Sequence, residues 1–164
     1  MIAKTFFFAI LFSSRIALAG GSVVGNGAGL VESNFQYSYS MIPSLITACF
    51  SSPQCALNPV EHALLKSIRE IANANTSNRD RLVFIAEGDQ HGFFDTGLSE
   101  KHRIAKTGLT RNDPIFVNSD LLYDEKGKPR LDYPAMISIL VHELGHQSGE
   151  PDHAVLDILG AKIR

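Results

Sequence analysis

The chain has no surplus of positive charge, only two cysteines and no late hydrophobic run, and each shortage removes a class of protein. Lysine and arginine number 15 against 17 aspartates and glutamates, a formal net charge of -2. Without a basic stripe nothing neutralises a nucleic-acid backbone, so no nucleic-acid partner is expected. After Ala19 no stretch approaches the roughly 20 apolar residues that a spanning helix needs, and the mature chain is expected to hold no integral membrane segment. The glycine-rich stretch Gly20 to Gly27 lacks the Gly-Lys-Ser/Thr ending of a phosphate loop. Cys49 and Cys55 are too few for a four-ligand structural metal site. They are close enough in sequence to close a disulfide loop worth about 2 kcal/mol, with two free buried thiols as the alternative.

The first residues carry an address. Lys4 precedes an apolar run from Phe6 to Phe12, followed by Ser13, Ser14 and Ala17-Leu18-Ala19, the plan of a signal peptide with an A-x-A cleavage site. Residues 1–19 are therefore read as a signal peptide. Arg15, between the apolar run and the cleavage site, keeps an uncleaved anchor as the alternative. No cysteine follows Ala19, which excludes lipid attachment there. The expected compartment is periplasmic or extracellular, where oxidising conditions suit a disulfide. Removing this segment leaves about 145 residues, the size of one domain. Residues 20–28 read as a flexible mature N-terminus and residues 29–164 as the folded domain.

Along that domain, Leu30 to Phe50 is helix-compatible, but Pro43 predicts two short helices rather than one. Asn58-Pro59-Val60-Glu61 reads as a helix start, with Asn58 as N-cap, Pro59 in the first turn and Glu61 reaching back. Val60, Leu64, Ile68 and Ile71 follow as its apolar stripe, and His62 reads as a solvated histidine. Arg81 to Ala86 is β-prone and bounded by Asp80 and Gly88, which predicts a buried strand. Gly88 to Gly92 is turn chemistry. Lys101 to Lys106 and Pro114 to Val117 read as two further strands. Because proline cannot donate to a ladder, Ile115, Phe116 and Val117 are expected at the border of the sheet.

Asp132 to Gln147 reads DYPAMISILVHELGHQ, a helix capped by Asp132 or Tyr133 with Pro134 in its first turn. Met136, Ile137, Ile139, Leu140, Val141 and Leu144 make it apolar nearly all round, as in a central buried helix. Two histidines and a glutamate are out of place there unless they do chemistry. Residues four apart lie one turn above each other, so His142 and His146 can offer two imidazole nitrogens to one ion. Glu143, rotated by about 100° from His142, flanks that ion without binding it. A carboxylate so placed accepts a proton from a zinc-bound water, whose pKa falls to about 7. A catalytic zinc needs one more protein ligand and an open position. Gly149 ends the helix in a form that can turn the chain back, after which Asp152 ranks first as third ligand and His153 second. Glu150 is too close to the turn. Asp157, on a helix from Asp152 to Leu159, is expected to support a ligand histidine.

His142-Glu143-Leu144-Gly145-His146-Gln147-Ser148-Gly149-Glu150-Pro151-Asp152 resembles the zincin metallopeptidase signature in its metzincin-like form, H-E-x-x-H-x-x-G-x-x-H/D. An aspartate as third ligand is similar to the snapalysin-type branch. No methionine follows Met136, so a methionine turn is not part of the resemblance. The resemblance implies an α+β, zincin-like fold: a small mixed sheet packed on a buried active-site helix, with N-terminal helices before it. It also implies Zn2+ as cofactor and a peptide or protein substrate laid along an edge strand, for which Ile115, Phe116 and Val117 are the candidates. The expected activity is peptide-bond hydrolysis with Glu143 as general base and one more donor to the oxyanion. Tyr123, Tyr133 and His153 are the donors near in sequence. Two alternatives stay open: a non-catalytic exported module in which zinc stabilises the helix, and an incomplete zincin domain that needs a further segment.

Overall fold

The helix expected from Asp132 onward forms as α3 (Tyr133–Gln147), and the rest of the domain is arranged around it. The computed structural model describes residues 29–75, 81–87, 92–96 and 102–164. The candidate signal peptide and residues 20–28 lie outside the described residues, as do Gly88 to His91 and Lys101. Among the described residues four α-helices and one three-stranded mixed sheet make an α+β arrangement. Among the described residues no helix is long and apolar enough to cross a membrane.

Pro43 does not divide the first helix: α1 runs unbroken from Leu30 to Ser51. A proline inside a helix costs about 3 kcal/mol. The stripe of Val31, Phe35, Tyr39, Ile42, Ile46 and Cys49 is buried on both sides of it. At about 1.5–3 kcal/mol for each large apolar side chain, that burial outweighs the penalty. Cys49 and Cys55 stand at disulfide distance, Cα to Cα 5.3 Å, joining the end of α1 to a single 3-10 turn (Pro53–Cys55). Helix α2 (Pro59–Asn75) starts with a reciprocal cap. Asn58 N–H donates to Glu61 Oε2 at 2.8 Å, and Glu61 N–H donates to Asn58 Oδ1 at 2.9 Å. Its buried stripe is Leu65, Ile68, Ile71 and Ala72. Val60 is 69 % exposed in the first turn and takes no part.

The sheet corrects one expectation directly. Its strands are β1 (Leu82–Ile85), β2 (Ala105–Thr107) and β3 (Ile115–Asn118), in the order β1-β3-β2. Thus Ile115, Phe116 and Val117 lie on the central strand, parallel to β1 and antiparallel to β2. Pro114 immediately precedes that strand, so its missing N–H removes no ladder bond and says nothing about the border. Its carbonyl accepts the Thr107 hydroxyl at 3.0 Å. The strand expected from Lys101 begins only at Ala105, and His102 makes an isolated bridge to Asp95. Leu82, Phe84, Ala105, Ile115 and Val117 form the buried face against the helices.

Candidate metal centre and its cleft

Helix α3 begins at Asp132, whose carboxylate accepts Ala135 N–H at 2.9 Å. Met136, Leu140, Val141 and Leu144 are fully buried, which fixes the rotation of the helix and turns His142, Glu143 and His146 toward one side. At its end Gly149 has φ +92, a left-handed conformation that favours glycine. Gly149 N–H bonds His146 O at 2.9 Å and Glu150 N–H bonds Gly145 O at 3.1 Å. The chain is thereby folded back so that α4 (His153–Ile163) lies along α3.

That return brings His153, not Asp152, to the histidine pair. His153 Nδ1 is 2.8 Å from His142 Nε2, and His146 Nε2 is 3.1 Å from His142 Nε2. Asp152, ranked first from sequence, is the N-cap of α4, and its carboxylate accepts Ala154 N–H at 2.8 Å. An N-cap carboxylate is held by the helix it starts, and the next residue is the one carried to the group. Glu150 contributes its backbone: its carbonyl lies 2.8 Å from His146 Nδ1. Asp157, one turn into α4, places Oδ1 2.8 Å from His142 Nδ1.

These contacts determine the tautomers. The Asp157 carboxylate and the Glu150 carbonyl only accept, so His142 and His146 both carry a proton on Nδ1. Each then presents a bare lone pair at Nε2, and the two lone pairs face each other across 3.1 Å. Protonating one ring would relieve the contact, but both histidines are held below their ordinary pKa. For His142 the cause is first burial and then the charges of His146 and His153, against the pull of Asp157. For His146 burial again leads, aided by His153 and Arg103 and opposed by the Glu150 carbonyl. Two facing lone pairs on neutral imidazoles, joined by a third imidazole, form a group that could hold a divalent metal ion.

No protein-family model, curated protein or solved structure matches this chain.

Beside the histidines, Glu143 is 7 % exposed. Burial raises its pKa to about 7, while the Arg103 charge and a bond from Thr107 N–H act against the rise. Its surroundings come from β2, which sequence reasoning did not connect with the site. In the antiparallel pair of β2 and β3, Asn118 N–H bonds Ile104 O at 2.8 Å. By the alternation of such ladders, the N–H and C=O of Ala105 and Thr107 then point away from β3. One of them, Thr107 N–H, meets Glu143. A cleft of about 500 Å³ lies between β2 and the two helices, bordered by Arg103, Ile104, Ala105, Ile139, His142, Glu143 and His153.

A polar bridge holds β2 to the end of α3. Gln147 Nε2 donates to Thr107 Oγ1 at 2.6 Å and to Asp113 O at 2.9 Å, and Gln147 Oε1 accepts from the buried Arg81 at 2.6 Å. The tyrosines considered as oxyanion donors are engaged elsewhere. Tyr123 OH donates to Glu32 at 2.7 Å and Tyr133 OH to Asn34 at 2.8 Å, both partners being on α1. His62 is exposed and stacks on Phe50. Glu87, Asp95 and His102 form a second group of possible metal ligands. Glu87 accepts Gly92 and Phe94 N–H, and Asp95 pairs with His102 at 3.1 Å, so each has a role in the turn itself.

Proposed function

We propose that this chain is an exported, zinc-dependent peptidase of zincin type, with His142, His146 and His153 as the ligands and Glu143 as general base. The observation that carries the reading is the pair of bare Nε2 lone pairs on His142 and His146, with the Glu143 carboxyl beside them in an open cleft. His142 and His146 would hold the ion through Nε2 and His153 through Nδ1, the atoms that already converge. When bound there, zinc supplies a Lewis acid and lowers the pKa of water to about 7.

The chain's own residues account for the remaining steps. Glu143, which borders the same cleft as His142 and His153, would take a proton from the attacking water and pass it to the leaving amine. Asp157 and the Glu150 carbonyl keep the protons of His142 and His146 on Nδ1, away from the ion. Strand β2 replaces β3 as the candidate substrate edge: an extended peptide would use the outward N–H and C=O of Ala105 as an added strand. The open space beside His142, His153 and Glu143 favours catalysis over a closed, purely stabilising site. The test is cleavage of a mixed peptide library by the mature protein with zinc, alongside Glu143→Ala and a chelated sample. Cutting that both controls abolish is expected; an uncut library with a folded, zinc-loaded protein overturns the reading.

A further inference from the structure

We infer that Arg103 forms an anionic subsite beside the three histidines, which takes a carboxylate of the peptide substrate. Arg103 lies two residues before Ala105, the first residue of β2, at the end of the cleft between that strand and the helices. It is exposed and borders the cleft together with Ile139, His142 and Glu143. Its backbone is anchored, as Arg103 N–H bonds Phe94 O at 2.9 Å. His153 borders the same cleft, so the arginine shares one open space with two of the three histidines.

The carboxylates around it have other roles. Asp157 is bonded to His142, Asp95 is paired with His102, and Glu143 is buried against Thr107 N–H. Among the described residues Arg103 therefore borders the cleft as a cation with no carboxylate committed to it. A guanidinium in that position is suited to bidentate recognition of a planar carboxylate. An extended peptide added along β2 passes Arg103 within a residue or two of the bond held at the histidines, because strands advance only about 3.3 Å per residue. The carboxylate can come from an aspartate or glutamate side chain or from the free C-terminus of a short substrate.

This subsite rests on the peptidase reading, and the experiment separates the two. Zinc-loaded protein is given one peptide in four forms: glutamate or glutamine next to the scissile bond, and a free or amidated C-terminus. The quantity read is the ratio of kcat/KM between each charged form and its neutral counterpart. For the wild type at least one ratio should favour the carboxylate by roughly 10- to 100-fold, the range of a hydrogen bond to a charged group. The glutamate pair and the C-terminal pair identify its source. Arg103→Gln should bring that ratio to about 1, and Arg103→Lys should retain part of it. In parallel, binding of the same labelled peptides is measured by fluorescence anisotropy in a Glu143→Gln background, with and without Arg103→Gln. Cleavage without charge preference, or a preference that survives Arg103→Gln, overturns the subsite and leaves the peptidase. Binding that prefers the carboxylate only when Arg103 is present, without cleavage in the wild type, keeps the subsite and overturns the peptidase.

Discussion

Glu143 should make the metal-free protein less stable as pH rises, and substitution by glutamine should remove that dependence. The carboxyl is 7 % exposed and its pKa stands at about 7, against 4.5 for an ordinary glutamate. In the unfolded chain it ionises around pH 4.5, whereas in the fold it keeps its proton until about pH 7. Between those values the native state binds more protons, so the slope of stability against pH is negative. The contribution is fully present below pH 4.5 and is lost as pH rises through the folded value. At about 1.4 kcal/mol per tenfold change, the full loss is about 3 kcal/mol, roughly 1 of which has accrued by pH 5. That is a large share of the 5–15 kcal/mol typical of a domain. His142 and His146 act in the opposite sense, since their lowered pKa values stabilise the fold above the ordinary histidine value and fail it below. They are common to both proteins and cancel in the comparison. Urea unfolding of wild type and Glu143→Gln in chelator, from pH 4 to pH 8, measures the difference. Glu143→Gln should gain about 2–3 kcal/mol on wild type across that range and level off above about pH 7. A difference that is flat in pH, or that widens on acidification, refutes a buried carboxyl held neutral by its surroundings.

The remaining predictions concern the third ligand and the approach of α4. His153→Ala should weaken zinc binding by at least 100-fold in competition with a fluorescent chelator. Asp152→Ala should instead cost about 1 kcal/mol of stability, the worth of an N-cap, with a far smaller change in affinity. Asp157→Asn, which removes the carboxylate on His142 Nδ1, should lower zinc affinity by roughly 10- to 100-fold with little change in the fold, as circular dichroism would register. Gly160→Ala should destabilise the domain by about 1–3 kcal/mol and weaken zinc binding with it. A Cβ at Gly160 meets the Ser138 carbonyl oxygen at 2.8 Å and pushes α4, with His153 at its start, off α3.

Much of the domain was legible because its causes are local. The Asn58–Glu61 cap, the Asp132 cap, the buried helix from Tyr133 and the left-handed Gly149 each follow from a few adjacent residues. The unbroken α1 was not, since whether Pro43 breaks a helix depends on the packing it faces. The order of the strands was not either: Pro114 reports on its own missing N–H and carries no information about which neighbours flank Ile115. Arg103 and Thr107 join Glu143 only through a strand order that brings β2 against α3, and they lie far from His142 in the chain. The choice of His153 over Asp152 did have a local signal. Asp152 immediately precedes a helix, and a carboxylate there is claimed by the N–H groups of the first turn.

What separates the site from the rest of the core is that its groups are not at rest in the metal-free chain. The capped helix ends and the stripe of α1 satisfy the same preferences their sequences express, as a fold selected for stability should. At the cleft, two imidazole lone pairs face each other, a carboxyl is buried above its ordinary pKa, and an arginine borders the same space. The first two arrangements oppose folding, and they share one remedy. A divalent cation at the three nitrogens would turn the facing lone pairs into ligands and favour the ionised form of Glu143, removing both penalties at once. Zinc at 100 times its dissociation constant should therefore add about 2.7 kcal/mol of stability by mass action, and the pH-dependent gap between wild type and Glu143→Gln should narrow in the same titration. A zinc effect that leaves that gap unchanged would place the ion away from Glu143 and sever the link between the histidines and the general base.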